Sequence, residues 1–221
     1  METKLLSDHA EDLLEAAELL RNGAVVGMPT ETVYGLAADA RNPEAVRQIF
    51  AAKGRPADNP LIVHIAEMRA LEQVAATVPP LAEKLAERFW PGPLTMILPK
   101  RKEIPEITSG GLDTVGIRMP SHPVARALIQ LSGVPIAAPS ANISGYPSPT
   151  TAQHVMRDMQ GKIAAVVDGG ACSVGVESTV IALEPNGTVR ILRPGFVTKE
   201  MLEEVAPEVT LDPAILHQLQ E

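Results

Sequence analysis

Lys53-Gly54-Arg55-Pro56-Ala57-Asp58-Asn59-Pro60-Leu61-Ile62-Val63-His64-Ile65 joins the end of a helix to a buried strand through a loop framed by prolines. The helix opens at Asn42-Pro43, a good N-cap and N1 pair, and its apolar positions Val46, Ile49 and Phe50 recur at helical spacing until Gly54 stops it. Lys53 supplies a compact charge and Arg55 a planar fork, the two donor types that suit phosphate or carboxylate oxygens. The prolines limit the entropy lost when such a loop orders on a ligand. A solvated helix C-terminus, where cations offset the macrodipole, accounts for the same two charges.

Working outward, the alternation of periods predicts helices over 8–20, 43–53, 79–89, 122–132, 151–159 and 198–205. It predicts strands over 24–28, 61–65, 94–98, 114–118, 135–138, 163–167, 177–183 and 188–192. Asp8 and Glu11 read as a capping box for the first helix, and Asn22-Gly23 ends it. Glu184-Pro185-Asn186-Gly187 reads as the turn of a hairpin. This order predicts an α/β fold with a twisted mixed β-sheet, flanking helices and a concave substrate groove. The twenty prolines sit at element boundaries, and Trp90-Pro91-Gly92-Pro93 reads as a rigid packed turn.

The 221 residues, 45% of them hydrophobic, bury a substantial core, and a net charge of −8 gives no electrostatic case for wrapping nucleic acid. Lys100-Arg101-Lys102 is the one dense basic run and reads as a solvated loop. Three phenylalanines, two tyrosines and one tryptophan are too few for a dedicated single-strand binder. The single cysteine, Cys172, excludes an intramolecular disulfide and a cysteine-rich zinc site and fits a reducing cytoplasm. The N-terminus lacks the pattern of a secretory signal, and no apolar run nears the roughly 20 residues of a membrane span. A soluble, cytoplasmic protein is expected.

Three further segments fall where strands leave the core. Pro29-Thr30-Glu31-Thr32-Val33-Tyr34-Gly35-Leu36 follows the apolar run 24–28. Ser140-Ala141-Asn142 follows Pro135-Ile136-Ala137-Ala138-Pro139, and Gly175-Val176-Glu177-Ser178-Thr179-Val180 comes later. With the Lys53 to Asn59 loop, these motifs in this order make the chain resemble the YrdC/Sua family over roughly residues 12 to 197. The resemblance implies synthesis of threonylcarbamoyl-adenylate from L-threonine, bicarbonate and ATP with release of pyrophosphate. That product supplies threonylcarbamoyladenosine modification of tRNA.

Carried over residue by residue, the resemblance implies that Lys53 and Arg55 are catalytic and contact ATP with Asn59, Thr114, Ser140, Asn142, Ser148 and Arg193. Threonine would be held by Thr32, His64, Arg118, Ala138 and Ser178, with Ala138 acting through its backbone. Magnesium would arrive with ATP, no tightly bound cofactor is expected, and a downstream threonylcarbamoyl transferase complex acting on tRNA would take the product. Direct RNA binding would be weak, and no membrane partner is expected. Such chemistry needs cations and oriented donors more than a protein nucleophile. No Ser-His-Asp order, metal-binding histidine pair or Walker-type loop competes with it.

Read without the resemblance, His64 is a satisfied structural histidine, Arg118 a surface arginine, and Asp168-Gly169-Gly170 a plain turn. A double-stranded RNA-binding module of the same fold is the alternative function. A carbamoyl-adenylating domain of a hydrogenase-maturation protein is disfavoured because those chains carry additional domains. Residues 1–197 are expected to form the catalytic domain and 198–221 a helical tail that packs on the core, as in a single-domain member or a long member cut short.

Overall fold

The computed structural model describes residues 1–215. In chain order the elements are β1 (Lys4–Leu6), α1 (Ala10–Arg21), β2 (Val26–Met28), β3 (Gly35–Asp39), α2 (Pro43–Lys53), β4 (Ile62–His64), α3 (Leu71–Val74), α4 (Pro80–Phe89), β5 (Leu94–Pro99), α5 (Glu106–Ser109), β6 (Thr114–Arg118), α6 (Pro123–Ser132), β7 (Ile136–Ala137), α7 (Ala152–Met159), β8 (Ala165–Val167), β9 (Thr179–Leu183), β10 (Thr188–Arg193), α8 (Lys199–Glu203) and β11 (Glu208–Leu211). The strands form one mixed sheet in the order β1-β8-β2-β3-β7-β4-β6-β5-β9-β10-β11. Parallel pairs such as β4 with β6 and β5 with β9 occur beside antiparallel pairs such as β3 with β7 and β9 with β10.

Helix α2 shows how local chemistry sets an element. The Asn42 side chain accepts from the backbone N–H of Glu44 and Ala45, Pro43 opens the helix, and Gly54 closes it in the left-handed conformation at φ 70°. Its buried face carries Val46, Ile49, Phe50 and then Lys53. These positions follow the i, i+3, i+4, i+7 stripe, so the helical period itself carries a lysine into the interior. The expected packed turn after α4 is present: Trp90 Nε1 donates to Leu94 O at 2.7 Å and Gly92 N to Met119 O at 2.8 Å.

Several local expectations are corrected. The N-cap of α1 is His9, without a side-chain cap bond. Instead Asp12 accepts from both the backbone N–H and the hydroxyl of Ser7 at 2.7 Å each, so the reciprocal carboxylate is Asp12 and not Glu11. Strand β3 was not anticipated because Gly35-Leu36-Ala37-Ala38 is buried on both faces and therefore shows no alternation. The segment after α8 also departs from a helical tail, since β11 adds a parallel strand beside β10. Leu202 of α8 and, after it, Ala206 and Val209 are buried. The apolar helical face anticipated over 211–219 begins in β11 and otherwise lies largely outside the described residues.

Candidate active site

The parallel pair β4 and β6 lays the floor of a cleft. Ile62 registers with Gly116 and His64 with Arg118, so the period of two puts Ile62, His64 and Arg118 on one face. Gly116 leaves that floor low, since a Cβ there would lie 3.1 Å from Thr95 Cγ2. Around this floor Thr32, Lys53, Arg55, Asn59, Ala138, Ser140, Glu177, Ser178 and Arg193 complete a cleft of about 390 Å³. Asn142 lies just beneath it, bonded to Lys53, and Ser148 meets it through Glu177. Thr114, at the far end of β6 opposite Pro99, is outside the cleft lining.

At one end, Arg118 is 2% exposed, and so is not the surface arginine that its sequence context alone suggests. Its Nη1 donates to Glu31 Oε1 at 2.9 Å and its Nη2 to Thr32 Oγ1 at 3.2 Å. Glu31 Oε2 in turn accepts from Ser121 N at 3.0 Å. Burial raises the Glu31 carboxyl's pKa, but the Arg118 charge, its hydrogen bond and the Ser121 N–H outweigh this and hold it below the usual carboxylate range. Beside them burial, reinforced by the Arg118 charge, pushes His64 down to about 3. The ring is neutral at ordinary pH. With Nδ1 3.2 Å from Ile62 O as its donor, Nε2 is left as an acceptor.

At the other end, Lys53 Nζ donates to the carbonyl oxygen of Ser140, to Asn142 O at 3.0 Å and to Asn142 Oδ1 at 3.4 Å. Three acceptors match three ammonium donors, so Lys53 fastens the Ser140-Ala141-Asn142 loop to the end of α2. Ser140 also donates to Asn142 Oδ1. Burial first, then the Arg55 charge, pulls Lys53 down to about 8, with Glu177 opposing. Arg55 stands over the Phe50 ring, 5.4 Å from its centroid, and its buried Nε has no partner among the described residues. Between the ends, Arg193 donates from Nε to Ser178 O and from Nη2 to Ser178 Oγ, at 3.0 and 3.1 Å. Burial lowers its pKa, with Glu177 opposing. Ser178 Oγ lies 2.8 Å from Thr95 Oγ1.

Glu31 and Glu177 are the site residues that sequence reasoning missed. Each sits one position before a residue it did select, Thr32 and Ser178, which is the only sequence signal for them. Cys172 stands apart from this chemistry: burial pushes its thiol up to about 11, as an inert small residue requires. Asp168-Gly169-Gly170 forms the expected turn, with Gly170 N donating to Asp168 Oδ1.

Fold and cleft together define an α/β protein whose cleft is lined by the four cationic side chains Lys53, Arg55, Arg118 and Arg193. The Sua5, YciO and YrdC family profile, described as "Telomere recombination", matches residues 18–195, and the chain belongs to that family. It is 56% identical over 200 residues to a threonylcarbamoyl-AMP synthase of Pyrococcus abyssi, covering 90% of this chain and 58% of the relative. It is 52% identical over 218 residues to one of Bacillus subtilis, covering 98% and 62%. The crystal structure of P. abyssi Sua5 complexed with L-threonine superposes with a TM-score of 0.92 at 51% identity, over 98% of this chain and 64% of that one. The chain thus spans about three fifths of the length of these relatives.

Proposed function

We propose that this chain makes threonylcarbamoyl-adenylate from L-threonine, bicarbonate or carbon dioxide, and ATP, with residues 1–197 as the catalytic domain and 198–221 as an appended tail. The threonine amine captures the one-carbon unit as a carbamate. A carbamate oxygen attacks the α-phosphorus, and pyrophosphate leaves. The observation that carries this reading is the meeting, in one cleft, of a buried arginine beside an uncharged imidazole with a second group of cations and small-residue donors. The P. abyssi relative's complex with L-threonine supports it further.

In this reading Arg118 faces the amino-acid carboxylate, while Thr32, Ser178 and His64 Nε2 meet its hydroxyl and amine. Ala138 contributes backbone. Arg55, Arg193, Asn59, Ser148 and the loop of Ser140 and Asn142 hold the nucleotide, with Lys53 fixing that loop, while Thr114, outside the cleft lining, makes no contact with it in this reading. The cations stabilise charge that moves onto departing pyrophosphate. Magnesium enters on the phosphates of ATP, bound mainly by them and by water. No protein nucleophile takes part. The product passes to a transferase that modifies tRNA in the cytoplasm.

The test is pyrophosphate release by the purified chain with each substrate omitted in turn. Release that needs threonine, bicarbonate and ATP together is expected. Release without threonine, or none with all three present, overturns the reading.

A further inference from the structure

Glu177 lies in the cleft with Arg55 and Lys53, yet its carboxylate is already in use. Its Oε2 is 3.0 Å from Arg193 Nη1, and its Oε1 accepts from Ser148 Oγ at 3.2 Å. Ser148 and Arg193 are two of the residues assigned to ATP above, and Glu177 bridges those two. A carboxylate that accepts from a serine hydroxyl and pairs with a guanidinium charge offers them what a phosphate oxygen offers.

The surrounding backbone fixes this arrangement. The β9–β10 register shifts between Ile191 and Arg193, a bulge that re-aims Arg193. Ser178 then holds its Nε and Nη2, so that Nη1 is the guanidinium nitrogen left for an anion. Gly195 lets the following turn close on this segment, since a Cβ there would lie 2.7 Å from Glu177 O and 2.6 Å from Thr179 N. By contrast with the buried Glu31–Arg118 pair, the Glu177 and Arg193 side chains are 39% and 37% exposed. Such a solvated pair is weak and exchangeable.

We infer that Glu177 is a placeholder anion that occupies the phosphate-binding groups Ser148 and Arg193 in the unliganded protein and must be displaced by the nucleotide phosphates. The inference rests on the ATP assignment of those residues. Glu177 keeps the cleft's cations partly neutralised without ligand and restricts the site to ligands with enough charge to compete. A single carboxylate or monovalent anion gains little by replacing it, whereas a triphosphate or pyrophosphate does.

The experiment is calorimetric titration of wild type, Glu177→Gln and Glu177→Ala with ATP and, separately, with inorganic pyrophosphate, each with and without magnesium. Thermal melting of each variant checks the fold. Removing the competing charge is expected to tighten both ligands by roughly two- to fivefold in both variants, the scale of a displaced exposed ion pair. L-threonine affinity should stay unchanged, and KM for ATP should fall with no gain in kcat. Unchanged or absent binding of both ligands by folded variants overturns the inference. So does weakening confined to magnesium-containing titrations, which would make Glu177 a metal ligand. The activity reading stands or falls separately, on substrate-dependent pyrophosphate release by the wild type.

Discussion

His64 and Arg118 are register partners across the parallel strands β4 and β6, both almost fully buried. Burial is the larger cause of the neutral imidazole, and the adjacent guanidinium adds to it while Glu31 opposes. A free histidine titrates near 6.5. Between there and about 3 the unfolded chain binds a proton that the folded chain refuses, so stability is full above pH 6.5 and is lost as pH falls. The slope from this one group is about 1.4 kcal/mol per pH unit. Urea unfolding of wild type and His64→Gln across pH 3 to 7 should show the variant's stability falling less steeply. Parallel curves would mean that His64 takes up its proton equally in the folded and unfolded states.

Glu31→Gln should be severely destabilising because it strands the Arg118 charge in a dry site. Breaking a buried pair from one side costs about 3–5 kcal/mol. Replacing both partners, Glu31→Gln with Arg118→Met, should recover part of that stability while L-threonine binding stays lost. Chemical denaturation and threonine titration check the two halves. A Glu31→Gln chain as stable as wild type would show that the pair is not buried in solution.

Lys53 titrates near 8 in the fold and near 10.4 when unfolded. Between these values the unfolded chain binds more protons, so this group's contribution to stability rises with pH. Binding should do the reverse. Above pH 8 the ammonium that joins Ser140 and Asn142 loses a donor, the loop loosens, and ATP affinity falls. Lys53→Met should bind ATP weakly at every pH and show no alkaline limb near 8. A wild-type affinity that is flat to pH 9.5 contradicts this role.

Much of the α2 region was legible because local chemistry decides it: cap, proline, stripe and glycine all point one way. The cleft's membership was legible only through the resemblance, since cross-strand register and loop convergence join residues such as Glu31 and Arg118 that lie 87 positions apart. The period of two could place His64 and Ile62 on one face but not name what covered it. Strand β3 escaped because small residues buried on both sides leave no pattern. Glu31 and Glu177 escaped because a carboxylate is ordinarily read as solvated surface, and only its arginine partner makes it otherwise.

Arg55→Ala should cripple ATP binding and leave the fold intact. Arg55 sits in a loop, partly buried, and its charge-assisted bonds to phosphate are worth about 1.5–3 kcal/mol. Affinity should therefore fall by roughly ten- to a hundredfold with an unchanged melting temperature. Wild-type affinity in the variant would remove Arg55 from the nucleotide site.

The amino-acid end should prefer threonine to serine, and serine to valine. A site built to hydrogen-bond a hydroxyl leaves Nε2 of the neutral His64 without a donor when valine enters, whereas loss of a methyl costs only about 1–3 kcal/mol. Competition against labelled threonine checks the order, and valine competing as well as serine would contradict it.

Joining of a one-carbon unit to threonine and then to AMP in one cleft, as proposed above, is checked with carbon-13 bicarbonate. The purified chain is incubated with labelled bicarbonate, threonine, ATP and magnesium, and the nucleotide product is analysed at once by mass spectrometry. The expected product is an adenylate that carries both threonine and the labelled carbon, formed together with pyrophosphate. An adenylate of threonine without the label, or AMP formed at the same rate with bicarbonate removed, would contradict it.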